Sequence, residues 1–271
     1  MQTGKKIATV IVFASTLGAA SAMAQDCTPK HQFETITKGK LTVALTNTPP
    51  YSQEEAGAVS GIDGDLVKIF AKENCLDITY EIFTYPAAVS AVQSDRADMA
   101  IGGFYRTAAR EKVVTLSTPV YLDQLAVASV DGLDTVDQLL GKKVGTVEGY
   151  AWVLEMEDTF EGSGTYPSSL NLAQDLQAGR IDAALEGFGA AVLLNKGTNV
   201  QVKLLKADDR ISATTNASQT SFLLSKTNEA FVSAVNATIM DQRSQGVIGT
   251  TLETYGLDPS AADVGQGRVI Q

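Results

Sequence analysis

The chain has 271 residues, with 31 Asp and Glu against 21 Lys and Arg, for a formal net charge of −10. A chain this acidic disfavours nucleic acid and anionic membrane surfaces as partners and favours solubility. One histidine, His31, and two cysteines, Cys27 and Cys75, leave almost nothing from which to build a transition-metal site, so neither a metal nor a cofactor is expected.

Residues 1–24 read as a secretory signal peptide. Lys5 and Lys6 form a positive start, Ile7 through Ala20 a short apolar stretch, and Ala22-Met23-Ala24 a small–x–small cleavage pattern. Cleavage after Ala24 would start the mature chain at Gln25, and Asp26 standing before Cys27 departs from a lipoprotein signal. The expectation is an exported, unanchored protein in an oxidising compartment, where Cys27 and Cys75 pair in a disulfide. His31, close to the new N-terminus, is expected at the surface.

Short β-rich runs then alternate with helix-period segments. Leu41–Leu45 reads as a strand and Gly64–Asn74 as a helix, with Asp63 or Asp65 as its cap. Ile78–Phe83 alternates as a strand, Tyr85–Ser94 is helical, and Ala97–Gly102 is a strand running into paired glycines. The pattern restarts with strands at Val127–Val130 and Lys143–Val147, separated by a short helix at Val136–Leu140. Helices at Ala151–Thr159 and Ser169–Ala178, a strand at Ile181–Leu185, a helix at Ala190–Lys196 and a strand at Val200–Leu204 follow. A last strand at Phe222–Ser225 leads into helices at Asn228–Ser244 and Val247–Tyr255, and the polar stretch from Gly256 is expected to be a loosely held tail.

Two α/β units in this order predict two lobes, each a mostly parallel sheet flanked by helices. The chain is expected to leave lobe 1 (25–125), build lobe 2 (126–216) and return to lobe 1 (217–271), so two crossing strands form a hinge and the cleft between lobes is the site. Ligands in such sheets lie at the C-terminal ends of strands. That selects 47–51, 102–110, 148–152 and 186–188.

Three stretches carry a family resemblance: Gly61-Ile62-Asp63-Gly64-Asp65-Leu66; the run from Tyr85 through Ala97–Ala100 and Thr107–Arg110 to Ser117–Tyr121; and Leu176–Ala184. In this order and spacing they resemble the periplasmic solute-binding proteins that feed polar amino acids to ABC importers. The resemblance implies a type II periplasmic-binding-protein fold, a monomer, a small carboxylate-bearing ligand and an ABC permease as partner. By position, Arg110 matches the arginine that grips the ligand carboxylate, a task suited to a planar, permanently charged fork. Gly102, Gly103 and Tyr105 fall beside the ligand, Tyr85 and Tyr51 match aromatic walls, and Gly149-Tyr150-Ala151-Trp152 matches the loop that completes the carboxylate site. Trp152 is equally well read as core.

One position departs from that pattern. Where the family places an acid for the ligand's ammonium, this chain has Gly187, flanked by Glu186 and Phe188. Either Glu186 or Glu148 reaches in instead, or the ligand lacks an ordinary α-ammonium and offers the aromatic cluster a flat or cationic group. A competing reading is an exported cyclohexadienyl (prephenate/arogenate) dehydratase-like enzyme on the same fold, with Glu186 or Glu148 as the acid.

Overall fold

The computed structural model describes residues 27–271; the expected signal peptide and its cleavage site lie outside them. The architecture is two α/β lobes, each built on a five-stranded sheet. In the first, the order is Asp77–Phe83, Lys40–Thr46, Met99–Ile101, Leu223–Leu224, Thr115–Leu116. In the second it is Gly164–Tyr166, Val144–Val147, Ala183–Gly187, Leu125–Ser129, Gln201–Leu204. Four strands of each sheet run one way, and the fourth position in the order is the reversed one.

Both reversed strands follow directly on a crossing between the lobes. Leu122–Asp123 and Ser218–Gln219 pair antiparallel as a separate two-stranded ribbon. The first leads into Leu125–Ser129 and the second into Leu223–Leu224. Leu125–Ser129 is thus the first strand of its lobe, against which later strands are laid antiparallel, whereas Leu223–Leu224 returns to the first lobe and inserts antiparallel between strands already present.

Strands with near-continuous apolar sequence, such as Leu125–Ser129, are buried along their whole length because helices cover both faces. Asp77–Phe83 is an edge strand, and its polar alternation fits partial exposure. One core lies under the helix Ile62–Glu73 and the helix Glu229–Ser244, around Leu41, Leu66, Phe70 and Phe231. The other lobe is filled by Val127, Leu139, Met156, Phe160 and Leu185. A third cluster runs from Ala44 and Tyr85 in the first lobe to Val147 and Leu172 in the second, so the lobes pack directly on each other.

Cys27 and Cys75 are bonded to each other, with Cα atoms 5.8 Å apart, and tie the first described residue to the end of the first helix. His31 is half-buried there rather than a free surface residue, and its backbone amide donates to Asn74 Oδ1.

Two expectations are corrected. Neither Asp63 nor Asp65 caps the first helix; Gly61 occupies that place with no side-chain bond. Asp63 turns inward, where Oδ2 accepts the amides of Gly102 and Gly103 at 2.9 Å each and Oδ1 accepts the Tyr121 hydroxyl at 2.8 Å. Burial still pushes its carboxyl up to about 6, because three donors offset only part of the desolvation. Asp65 instead accepts from Tyr255 and Lys68.

The C-terminal segment is not a loose tail. The buried Gln219 amide donates to Val264 O and Gln266 O at 2.7 Å and accepts Arg268 N at 2.8 Å. Ile270 then donates to Arg106 O, and its own carbonyl accepts Ala108 N. A polar sequence is held here because one amide side chain supplies both donors and acceptor to the passing backbone.

Candidate functional site

The cavity between the lobes is lined by Tyr51, Tyr85, Gly103, Tyr105, Arg110, Asp123, Tyr150, Ala151, Trp152 and Gly187. Nine of these were expected from the sequence. Gly102 and Glu186 are not on the cavity wall, and Asp123 is an addition. The space among these residues is about 20 Å³, room for one or two waters, and a more open cavity of about 460 Å³ shares Tyr85, Arg110, Tyr150 and Ala151 with it.

Arg110 lies in the helix Ala108–Val113, whose N-cap Thr107 accepts the Arg110 amide. That cap fixes the helix start and turns the guanidinium into the cleft, where it is buried. One nitrogen donates to Tyr105 O at 2.5 Å and another crosses to Gly149 O of the second lobe at 2.8 Å. The guanidinium carbon lies 5.1 Å from the Phe104 ring centre. Desolvation lowers its pKa to about 10, and the groups that oppose the shift are the tyrosines 85 and 150, not a carboxylate. The result is a buried cation with neutral partners.

Tyr85 begins the helix Tyr85–Gln93. It donates to Gly102 O at 2.5 Å and meets the Tyr150 ring edge-on at 4.9 Å. Gly102 turns both its amide and its carbonyl to the first lobe's own side chains, Asp63 and Tyr85. Gly103 sits at φ +65, and a Cβ there would lie 2.9 Å from the Tyr51 ring, so the position needs glycine twice over.

On the second lobe, Ala151 precedes the helix Val153–Thr159 and lines the cavity. Trp152 is 2 % exposed and belongs to the lobe core while one side of it reaches the cavity. Core packing and a place on the cavity wall are thus compatible for this residue. Its indole N–H donates to Thr146 Oγ1 at 2.9 Å, and the ring stands edge-on to Tyr105 and Tyr150.

Two buried carboxyl groups lie here, Asp123 on the cavity wall and Glu186 beside Gly187. Asp123, in the crossing ribbon, accepts the hydroxyls of Tyr51 at 2.7 Å and Tyr105 at 2.9 Å on one oxygen. Glu186 accepts Tyr150 at 2.5 Å and the Gly187 amide at 2.9 Å on Oε1. Its buried Oε2 has no hydrogen-bond partner. Burial pushes the Glu186 carboxyl up to about 7 and raises Asp123 as well. No sequence signal marked Asp123, because its approach to Gly187 depends on the antiparallel register that sets Leu125 opposite Gly187.

Comparison with known proteins places these observations. Residues 41–258 match the model for bacterial extracellular solute-binding proteins, family 3. The L-cystine-binding protein TcyJ of Escherichia coli K12 is 28% identical over 229 residues, covering 80% of this chain and 83% of that protein. The ABC transporter arginine-binding protein 1 of the same strain is 27% identical over 180 residues, 64% of this chain and 72% of its own. Among solved structures, the amino acid ABC transporter substrate-binding protein AbpA of Streptococcus pneumoniae, bound to L-arginine, superposes with a TM-score of 0.72 at 25% identity, over 83% of this chain and 96% of that one. With the family model spanning most of its length and the two-lobed fold shared, the chain belongs to the bacterial extracellular solute-binding proteins of family 3.

Proposed function

We propose that this protein is exported through its leader, cleaved after Ala24, and works as a periplasmic monomer. It captures an amino acid or related small carboxylate between its lobes and delivers it to an ABC permease. The observation that carries the reading is Arg110, a buried guanidinium facing the cleft whose partners are carbonyl oxygens and an aromatic ring. Removing a charge from water without an opposite charge is costly, and a ligand carboxylate offsets that cost.

The mechanism follows from the same contacts. The bond from Arg110 to Gly149 O already joins the two lobes. As the lobes part, that donor is released, and a carboxylate takes it with a stronger, charge-assisted bond. Reclosure then brings Ala151 and Tyr150 of the second lobe over the ligand, so binding energy drawn from both lobes shifts the population to the closed form. Lobe 25–125 with 217–271 and lobe 126–216 would move about the ribbon of Leu122–Asp123 and Ser218–Gln219.

Similarity to cystine- and arginine-binding proteins supports the amino-acid class. The dehydratase alternative gains no such support: the matched family is one of solute-binding proteins, and Glu186 stands beside tyrosine, serine and backbone groups with no histidine. A thermal-shift panel of amino acids, opines, aromatic acids and quaternary amines tests the reading. Amino acids should raise the melting temperature in proportion to the logarithm of their excess over Kd. Turnover of prephenate or arogenate would overturn it.

A further inference from the structure

The acid expected at position 187 is absent from the sequence, but a carboxylate is present in space. A Cβ built on Gly187 would lie 2.7 Å from Asp123 Oδ2 and 3.0 Å from the Tyr51 hydroxyl. The Asp123 carboxylate therefore occupies the volume that a side chain at 187 would fill. The two positions exclude each other, and an acid at 187 beside Asp123 would add like-charge repulsion to the clash.

The charge layout of the cavity points the same way. Arg110 stands on one side with neutral partners. Asp123 stands on the cavity wall with two tyrosine hydroxyls as its side-chain partners, and Glu186 lies behind Gly187 with one buried oxygen unpartnered. A buried cation and buried carboxyl groups that make no ion pair with each other form a dipolar chamber, and a zwitterion is its complement. The negative end offers carboxylate and hydroxyl oxygens, acceptors that an ammonium with N–H donors can use. A fully methylated nitrogen makes no hydrogen bond and would leave those oxygens unmet.

Resting on the solute-binding reading, we infer that Asp123 is the residue that binds the ligand's ammonium in this protein, in place of an acid at 187, and that the ligand is a zwitterion bearing a primary ammonium. Gly187 is then a specificity-determining position through its smallness. Its backbone, at φ −60 and ψ 138, accepts any side chain, so the clash alone demands glycine.

Calorimetric titration with the individual L-amino acids identifies the best-bound one. Two relatives of that compound then serve as probes: its des-amino carboxylate and its N-trimethyl derivative. Both should bind at least about 30-fold more weakly to the wild-type protein, a comparison that needs no variant. Asp123→Asn should lose a similar factor. The double variant Asp123→Ala with Gly187→Asp should recover most of it, because the acid returns to the same volume from the neighbouring strand. Equal binding of the des-amino or trimethyl compound overturns the assignment, as does unchanged affinity in a folded Asp123→Asn protein. If wild-type protein binds no amino acid at all, the solute class falls too, and the separate failure of each is thereby distinguished.

Discussion

The hydroxyl of Tyr51, a first-lobe residue, accepts the backbone amide of Gly189 in the second lobe at 2.8 Å while it donates to Asp123 at 2.7 Å. Three parts of the molecule, the two lobes and the ribbon between them, meet at one oxygen. Gly189 permits the approach, since a Cβ there would lie 2.9 Å from that hydroxyl. Tyr51→Phe leaves an amide and a carboxylate oxygen short of a partner at no change in ring volume. We expect a loss of about 1–3 kcal/mol in stability. Small-angle scattering of the ligand-free variant should show a larger radius of gyration, as the closed form loses one of its fastenings.

Arg110 supports the sharper functional expectation. Arg110→Ala should weaken amino-acid binding by about 30-fold or more, since a fully desolvated charge pair is lost on one side only. Arg110→Lys keeps the charge but not the fork, and cannot hold both Tyr105 O and Gly149 O or a carboxylate in two-point fashion. It should bind nearly as poorly as the alanine variant in calorimetric titration, and retained tight binding by either would overturn the site.

Stability should depend on pH in a definite direction. Burial raises four carboxyls: Glu186 to about 7, Asp63 to about 6, and Asp98 and Asp123 above the usual carboxylate range. In the unfolded chain such groups titrate near 4. Above that pH the unfolded state has lost protons that the native state still holds, so their contribution, complete below about pH 4, fades as pH rises through 6 and 7. The melting temperature of ligand-free protein should fall between pH 5 and 7.5. Glu186→Gln should flatten the upper part of that fall, removing roughly 3 kcal/mol of pH-dependent stability. Differential scanning calorimetry across this range measures both.

The docked C-terminal segment gives a local test. Gln219→Ala removes two donors to Val264 O and Gln266 O and the acceptor for Arg268 N. Amide hydrogen exchange should speed up selectively over 264–271 and over Arg106–Ala108, where the segment pairs. The melting temperature should fall by only a few degrees, because the apolar cores are untouched.

Much of this architecture is legible in the chain because periodicity is strong where burial is one-sided. The strand Lys40–Thr46, the helix Tyr85–Gln93 and the helix Ser169–Gln177 stand within two residues of expectation. Two-residue strands such as Thr115–Leu116 and Leu122–Asp123 carry no period at all, and the ribbon that joins the lobes is made of them. Arg110 and the aromatic lining were found through family spacing. Asp123 escaped because its role comes from register: 64 positions separate it from Gly187, and only the pairing of Leu125 with Gly187 brings them together. The tail escaped for the opposite reason, since its anchor is a single glutamine amide far back in the chain rather than any apolar pattern of its own.

The place of Leu223–Leu224 in the first sheet, between Met99–Ile101 and Thr115–Leu116, also sets an order of assembly. As the polypeptide emerges from its N-terminus, the first sheet has a gap that only residue 224 can close, by which time the whole of the second sheet, ending at Leu204, is already out. The later-encoded half is therefore the one able to complete its hydrophobic interior first, and the earlier half must wait for it with an unpaired strand edge.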